Sequence, residues 1–214
     1  TDRPPSTHWV HAMQPDHPSS PASTTQPAAT PAKSPRATKA AGALASVCTD
    51  STIEVAKGQD VAVRMYGRKK TGQTSPVVVH FHGGAFTTGD LDNGCTVASL
   101  LESVGAVVVS VAYPLTPFPQ PVDTGYDVLK WVHRNRTKLG GQGALVYLAG
   151  EEAGGNLAAA VGLMARDQSH PPLAGQILLS PMLDPCVGTA SLREATDNAT
   201  GCKWAEGWRN FLRC

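Results

Sequence analysis

This sequence of 214 residues has no excess of charge of one sign, no long apolar run and no secretory-signal pattern in its first residues. Lysine and arginine number 18 against 17 aspartate and glutamate, so the formal net charge is +1 and no basic field for nucleic acid exists. No apolar run approaches the roughly 18 residues of a membrane span. The N-terminus lacks the charged-then-apolar layout of a signal peptide. These absences favour a soluble, cytoplasmic protein that binds no nucleic acid.

Cysteine is present but shows no pattern of a cross-linked or metal-binding protein. The sequence has five, an odd number, with wide spacings and no C-x-x-C pair. Such spacing predicts neither a closed disulfide framework nor a zinc site. We therefore expect no metal and no cofactor. The cysteines are Cys48, Cys95, Cys186, Cys202 and Cys214.

The first segment of the chain differs in composition from the rest. Eight of the 17 prolines lie in the first 35 residues, among Ser, Thr, Ala and Gln, and neither helical nor strand periodicity is present. Such a segment cannot bury enough apolar surface to fold. The sequence predicts a disordered tail over residues 1–45 and one globular domain over 46–214.

Downstream of this tail, apolar segments alternate between strand-like and helix-like patterns. Ile53, Val55, Val61 and Val63 alternate around a Lys-Gly-Gln-Asp turn and predict a hairpin. The pattern then predicts strands at 77–81, 106–113, 144–149 and 176–182, and helices at 93–104, 122–139 and 154–166. This alternation predicts an α/β fold, with a mostly parallel sheet and helices on both faces.

Glycine-rich turns follow two of the predicted strands. His82, Gly83 and Gly84 follow the strand at 77–81, and the segment from Gly150 to Gly154 follows the strand at 144–149. Ligands of such sheets bind at the carboxyl ends of strands, so these turns form the candidate site. Glycines let backbone N–H groups approach an oxyanion, and a G-x-x-x-G junction leaves room for the strained turn that presents a nucleophile.

These motifs resemble the hormone-sensitive-lipase-like α/β-hydrolases, also called GDXG lipolytic enzymes or α/β-hydrolase fold-3. The resemblance runs over residues 77–184 and rests on VVVHFHGGAFTTGDLDN, GAVVVSVAYPL, LAGEEAGGNLAAAV and LAGQILLSPMLD. It implies hydrolysis of a small carboxylic ester by a Ser-His-Asp triad. It also implies an oxyanion hole formed by the amides of Gly83, Gly84 and Ala153, and a small ester or acyl ligand.

The chain departs from this family at the nucleophile. Where the family carries GDSAGG this sequence has GEEAGG, so Glu152 stands at the nucleophile position. No histidine follows His170, whereas the family's triad Asp and His come later. We therefore expect an α/β-hydrolase sheet without the family's C-terminal strands and without a complete triad. An uncovered sheet edge of that kind favours self-association.

Glu152 itself has two expected properties. A carboxylate at a helix N-terminus is favoured by the helix dipole and by free amides. It can therefore fold back into the oxyanion hole and block it. An anion at this position also repels the charge that ester attack develops on the carbonyl oxygen.

Three functional interpretations remain open at this point. The first is a relative of ester hydrolases that is impaired because Glu152 replaces serine and the triad is incomplete. The second is a non-catalytic module that binds a small ligand, as in the gibberellin receptors, which resemble the same family. The third is a hydrolase in which Glu152 acts as nucleophile or base with a histidine from a complementing segment.

Other polar and aromatic residues have structural interpretations. His82 precedes the predicted oxyanion hole and is expected to orient its loop, while His80 lies within a strand and is expected to be a core histidine. Trp204, Trp208 and Phe211 recur at helical spacing, which predicts packing or a lid over an acyl pocket.

Overall fold

The computed structural model describes residues 48–186, 188–190 and 199–212. The predicted disordered tail lies outside these residues. The described residues form one six-stranded sheet with helices against it. The strands are β1 (Cys48–Ala56), β2 (Gln59–Tyr66), β3 (Val77–Phe81), β4 (Val107–Val111), β5 (Val146–Glu151) and β6 (Gly175–Leu179). The helices are α1 (Cys95–Ser103), α2 (Gln120–Gly140), α3 (Glu152–Asp167) and α4 (Ala199–Leu212).

The sheet is mixed and mostly parallel. Its strand order is β1-β2-β4-β3-β5-β6. The hairpin of β1 and β2 is antiparallel, and β2 runs antiparallel to β4. The strands β4, β3, β5 and β6 are parallel to their neighbours. This arrangement confirms the predicted α/β fold, and it puts β3 and β5 side by side.

Apolar cores cover both faces of the sheet. Every residue of β3 and of β4 is buried, which explains their uninterrupted valine runs. One core joins the sheet to α2 and α3 through Leu129 and Leu157. The other core joins it to α1 through Ala98, which packs with Val78 and Val108. Helices therefore lie on both faces, as the sequence predicts.

Two predicted boundaries differ from the structure near the candidate site. β5 continues to Glu151 and α3 begins at Glu152, whereas the sequence predicted a strand ending at 149 and a helix starting at 154. The helix begins early because Glu152 takes a φ of 49°, which turns the chain from strand to helix without a loop. β6 ends at Leu179 because Pro181 has no N–H for a strand ladder. Every predicted end except that of β6 agrees with the structure within two residues.

The described residues include no membrane-spanning helix, and three of their cysteines are free thiols. Within residues 48–186, 188–190 and 199–212, no helix is both long and apolar enough to cross a bilayer. Cys48, Cys95 and Cys186 are free and exposed. The side chains of Cys202 and Cys214 lie outside the described residues.

Candidate active site

The candidate site lies at the carboxyl ends of β3 and β5. Phe81, the last residue of β3, is paired in register with Gly150 of β5. The turn after β3, with Gly83 and Gly84, therefore lies against the junction between β5 and α3. The two glycine-rich motifs that the sequence singles out thus meet at one point of the sheet.

The glycines at the β5–α3 junction are required by close backbone packing. A Cβ atom at Gly154 would overlap the carbonyl oxygens of Phe81 and His82. A Cβ atom at Gly150 would overlap the carbonyl of Gly154. The first turn of α3 therefore packs directly on the end of β3.

Glu152 is held in a left-handed backbone conformation at the junction. Its φ is 49°, a region that residues with a side chain rarely occupy and that costs about 1 to 2 kcal/mol. Ala153, the next residue, is fully buried in the first turn of α3. Amides of a first helical turn have no acceptor within the helix, so this turn has free donor capacity.

Two neighbouring carboxylates accept hydrogen bonds from two neighbouring amides. The N–H of Gly84 donates to Oε2 of Glu152 at 3.1 Å. The N–H of Gly83 donates to Oε1 of Glu151 at 3.2 Å. Two of the three amides that the sequence predicts as oxyanion donors, those of Gly83 and Gly84, are thus occupied by the protein's own side chains.

Glu151 was not identified from the sequence, and it is anchored by a buried histidine. Its Oε2 lies 2.8 Å from Nε2 of His80, and Nδ1 of His80 lies 3.0 Å from Oγ of Ser110. When His80 is neutral, its Nε2–H donates to the Glu151 carboxylate, which only accepts, and the hydroxyl of Ser110 donates to its Nδ1. His80 and Ser110 are fully buried. Its position could have indicated Glu151, because the last residue of β5 lies at the same edge of the sheet as the turn after β3.

His82 is bound to the backbone of its own loop. Its Nδ1–H donates to the carbonyl of Gly83 at 2.7 Å, and its ring stacks on Tyr113 with centroids 4.4 Å apart. The hydroxyl of Tyr113 donates to the carbonyl of His82 at 2.7 Å. Burial lowers the pKa of His82 and raises the pKa of Tyr113. These contacts fix the direction of the turn that carries Gly83 and Gly84.

A cavity of about 590 Å³ lies over Glu152. Nε1 of Trp204 is 3.5 Å from Oε1 of Glu152, at the outer limit of a hydrogen bond. Trp208 and Phe211 pack on Phe86, with ring centroids 5.1 and 4.2 Å apart. In α4, Trp204 therefore borders the cavity, while the other two aromatic residues pack. The cavity is lined by Gly84, Ala85, Thr87, Thr88, Glu152, Lys203, Trp204 and Glu206.

Comparison with known families agrees with this fold. The sequence profile described as alpha/beta hydrolase fold matches residues 78–212, which include the turn after β3, the β5–α3 junction and α4. This chain belongs to the α/β-hydrolase fold-3 family. Within that family it is similar to the hormone-sensitive-lipase-like carboxylesterases.

Relatives of this α/β-hydrolase include both enzymes and a receptor. Carboxylesterase NlhH of Mycobacterium tuberculosis is 39% identical over 145 residues, which are 65% of this chain and 44% of that protein. A gibberellin receptor of Arabidopsis thaliana is 37% identical over 120 residues, which are 52% of this chain and 34% of the receptor. The solved Pyrobaculum calidifontis esterase has a TM-score of 0.67 at 34% identity, covering 77% of this chain and 56% of that one. The chain thus spans less than half the length of these two sequence relatives.

Proposed function

We propose that this α/β-hydrolase holds a small organic ligand in the cavity over Glu152 and does not hydrolyse esters there. The observation that carries the proposal is the hydrogen bond from the Gly84 amide to the Glu152 carboxylate. In the oxyanion hole of an esterase, such an amide must be free for the carbonyl oxygen of the substrate. Losing one donor of a hole raises the barrier by about 2.7 to 4 kcal/mol. Here the amides of Gly83 and Gly84 are both occupied.

The position of Glu152 also argues against its acting as the attacking group. Glu152 has the left-handed backbone that a nucleophile elbow would require, but its Oε2 is bonded to Gly84 and its Oε1 faces Trp204. A carboxylate nucleophile still needs a base to activate water for the second step. The two nearby histidines are engaged elsewhere, since His80 bonds Ser110 and Glu151 and Nδ1 of His82 bonds Gly83.

The cavity itself favours a binding role. Its volume of about 590 Å³ lies in the usual range for small-molecule sites, which is roughly 300 to 1,000 Å³. The relatives include a gibberellin receptor as well as esterases. A ligand site without turnover is thus compatible with the family.

Hydrolysis of p-nitrophenyl butyrate by the purified chain tests the proposal. Glu152→Ala and Glu152→Ser are compared with Glu206→Gln, which changes a glutamate at the rim of the same cavity. We expect all four proteins to match the uncatalysed rate. Hydrolysis that Glu152→Ala abolishes and Glu206→Gln retains would show that the carboxylate takes part in the reaction, and the proposal would be wrong.

A further inference from the structure

The floor of the cavity offers hydrogen-bond acceptors where an ester site offers donors. An ester is recognised through its carbonyl oxygen, which can only accept a hydrogen bond. The Gly84 amide already donates to Glu152, and the indole N–H of Trp204 points at the same carboxylate. Ala153, the third predicted donor, is fully buried and does not line the cavity. What the floor presents to a ligand is therefore the carboxylate of Glu152, and the polarity of the site is inverted.

Glu152 retains capacity for a ligand. A carboxylate has two oxygens and about four acceptor positions. The described contacts use one position on Oε2 and, at the long distance of 3.5 Å, one on Oε1. The side chain is partly exposed and lines the cavity. A donor entering the cavity can therefore reach unused lone pairs.

The charges around the cavity leave the floor negative. Lys203 and Glu206 both lie on the exposed side of α4 at the rim, where their opposite charges offset each other. None of the ion pairs among the described residues includes Glu152. The N-terminus of α3 offsets only part of its charge, because a helix end is equivalent to about half an elementary charge. A cation is the ligand group that completes this site.

The walls suit an alkyl chain attached to that cation. Ala85 and the indole of Trp204 supply apolar surface beside the floor. An ammonium group with three N–H donors matches the open positions of a carboxylate, and an indole face also attracts a cation.

We propose that the cavity binds a primary alkylammonium ligand, with its NH₃⁺ group donating to the Glu152 carboxylate and its alkyl chain packed along Trp204. This inference rests on the proposed function, since it assigns the class of ligand that the non-hydrolytic site holds. No covalent step is involved.

Titration of the chain with three six-carbon probes tests the assignment. The probes are n-hexylammonium, hexanoate and 1-hexanol at pH 7, followed in ¹H–¹⁵N NMR spectra through the Gly84 amide and the Trp204 indole N–H. We expect hexylammonium to shift both signals and to bind at least about tenfold more tightly than hexanol, since a hydrogen bond to a charged group contributes at that level. Hexanoate is expected to bind most weakly. Equal affinity for hexylammonium and hexanol, tighter binding of hexanoate, or no binding of hexylammonium overturns the assignment.

Two matched variants locate the charge that matters. Glu152→Gln keeps the shape of the side chain and an acceptor for Gly84, and we expect it to weaken hexylammonium binding about tenfold or more. Glu54→Gln removes the same charge from an exposed residue of β1 that does not line the cavity, and we expect a change below about threefold because exposed charges interact weakly. Equal losses in both variants contradict a site centred on Glu152.

The two proposals fail in different ways. Ester hydrolysis that depends on Glu152 removes the proposed function whatever the probes do. If no ester hydrolysis is detected and hexylammonium is not preferred over the other probes, only the proposed class of ligand is wrong.

Discussion

Glu151 and Glu152 are neighbours in the sequence and accept hydrogen bonds from neighbouring amides, yet they lie in different environments. Glu151 ends β5 in extended backbone, with φ of −113°, and is tied to the buried His80. Glu152 starts α3 with φ of 49° and borders the cavity. The same side-chain type is an anchor of the fold in one place and the floor of a ligand site in the next. The predictions below separate these two roles.

The largest effect is expected where both roles depend on the same packing. In Gly154→Ala, the added methyl group overlaps the Phe81 and His82 carbonyls, so α3 must move away from β3 and both carboxylates are displaced. We expect the free energy of unfolding to fall by about 3 kcal/mol or more, measured by urea denaturation.

Gly162→Ala in the same helix is the matched control. There the added methyl group meets the flexible Gln176 side chain and not the backbone, and alanine favours a helix by about 1 kcal/mol over glycine. Equal losses from the two substitutions would contradict the packing described for Gly154.

The next largest effect separates Glu151 from Glu152. His80→Leu removes the partner of the Glu151 carboxylate and leaves the buried Ser110 hydroxyl without an acceptor. We expect a loss on the order of 2 to 4 kcal/mol in unfolding free energy. His133→Leu, at a partly exposed histidine of α2, should cost below about 1 kcal/mol. A loss at His80 as small as that at His133 would mean that the network does not anchor Glu151.

Acid pH should weaken the turn that both glutamates bind. Burial lowers the pKa of His82 below its ordinary value of 6.5, so at slightly acid pH the unfolded chain binds a proton that the folded chain does not. The contribution of neutral His82 to the free energy of unfolding is therefore complete above about pH 6.5. It falls as the pH drops from there toward the pKa of His82 in the folded chain. In urea denaturation between pH 7.5 and 5, His82→Phe, which keeps an aromatic ring against Tyr113, should show a smaller loss than the unmodified chain. An unchanged pH slope in this variant would contradict burial as the cause.

The smallest effect is expected from Glu152→Gly, for which Glu151→Gly is the matched control. Glu152→Gly relieves the left-handed backbone but loses the bond to Gly84, so the net change should stay within about 1 kcal/mol. Glu151→Gly has no such relief and leaves Nε2 of the buried His80 without a partner, so we expect a loss of about 2 kcal/mol or more. Equal changes, measured by thermal and urea denaturation, would remove the distinction between the two residues.

Part of this site can be predicted from the local sequence, and the rest depends on the register between strands that are distant in the sequence. Gly83, Gly84 and Glu152 could be located from their motifs, because a glycine turn and a G-x-x-x-G junction at strand ends have a short-range signature. The pairing of His80 with Glu151 could not, because it depends on how β3 is registered between β4 and β5. In that register His80 lies opposite Ser110 on one side and Ala149 on the other.

Which aromatic residue of α4 lines the cavity could not be predicted, for a similar reason. The helical spacing of Trp204, Trp208 and Phe211 indicates one side of a helix but not what that side meets. Packing of α4 on Phe86 and on the Ala85 backbone decides it, and only Trp204 is left beside Glu152. Such contacts between distant segments have no signature in a single sequence.

The amide signals of Gly83 and Gly84 test the central claim most directly, which is that the protein's own carboxylates occupy both donors. Hydrogen bonds to a carboxylate shift an amide proton downfield, and ¹H–¹⁵N spectra of Glu152→Ala and Glu151→Ala can be compared with the unmodified chain. We expect Glu152→Ala to move the Gly84 proton upfield and to leave Gly83 nearly unchanged, with the reverse in Glu151→Ala. A Gly84 signal that stays in place in Glu152→Ala would show that the amide is not bound by this carboxylate, and the account of a filled site would be wrong.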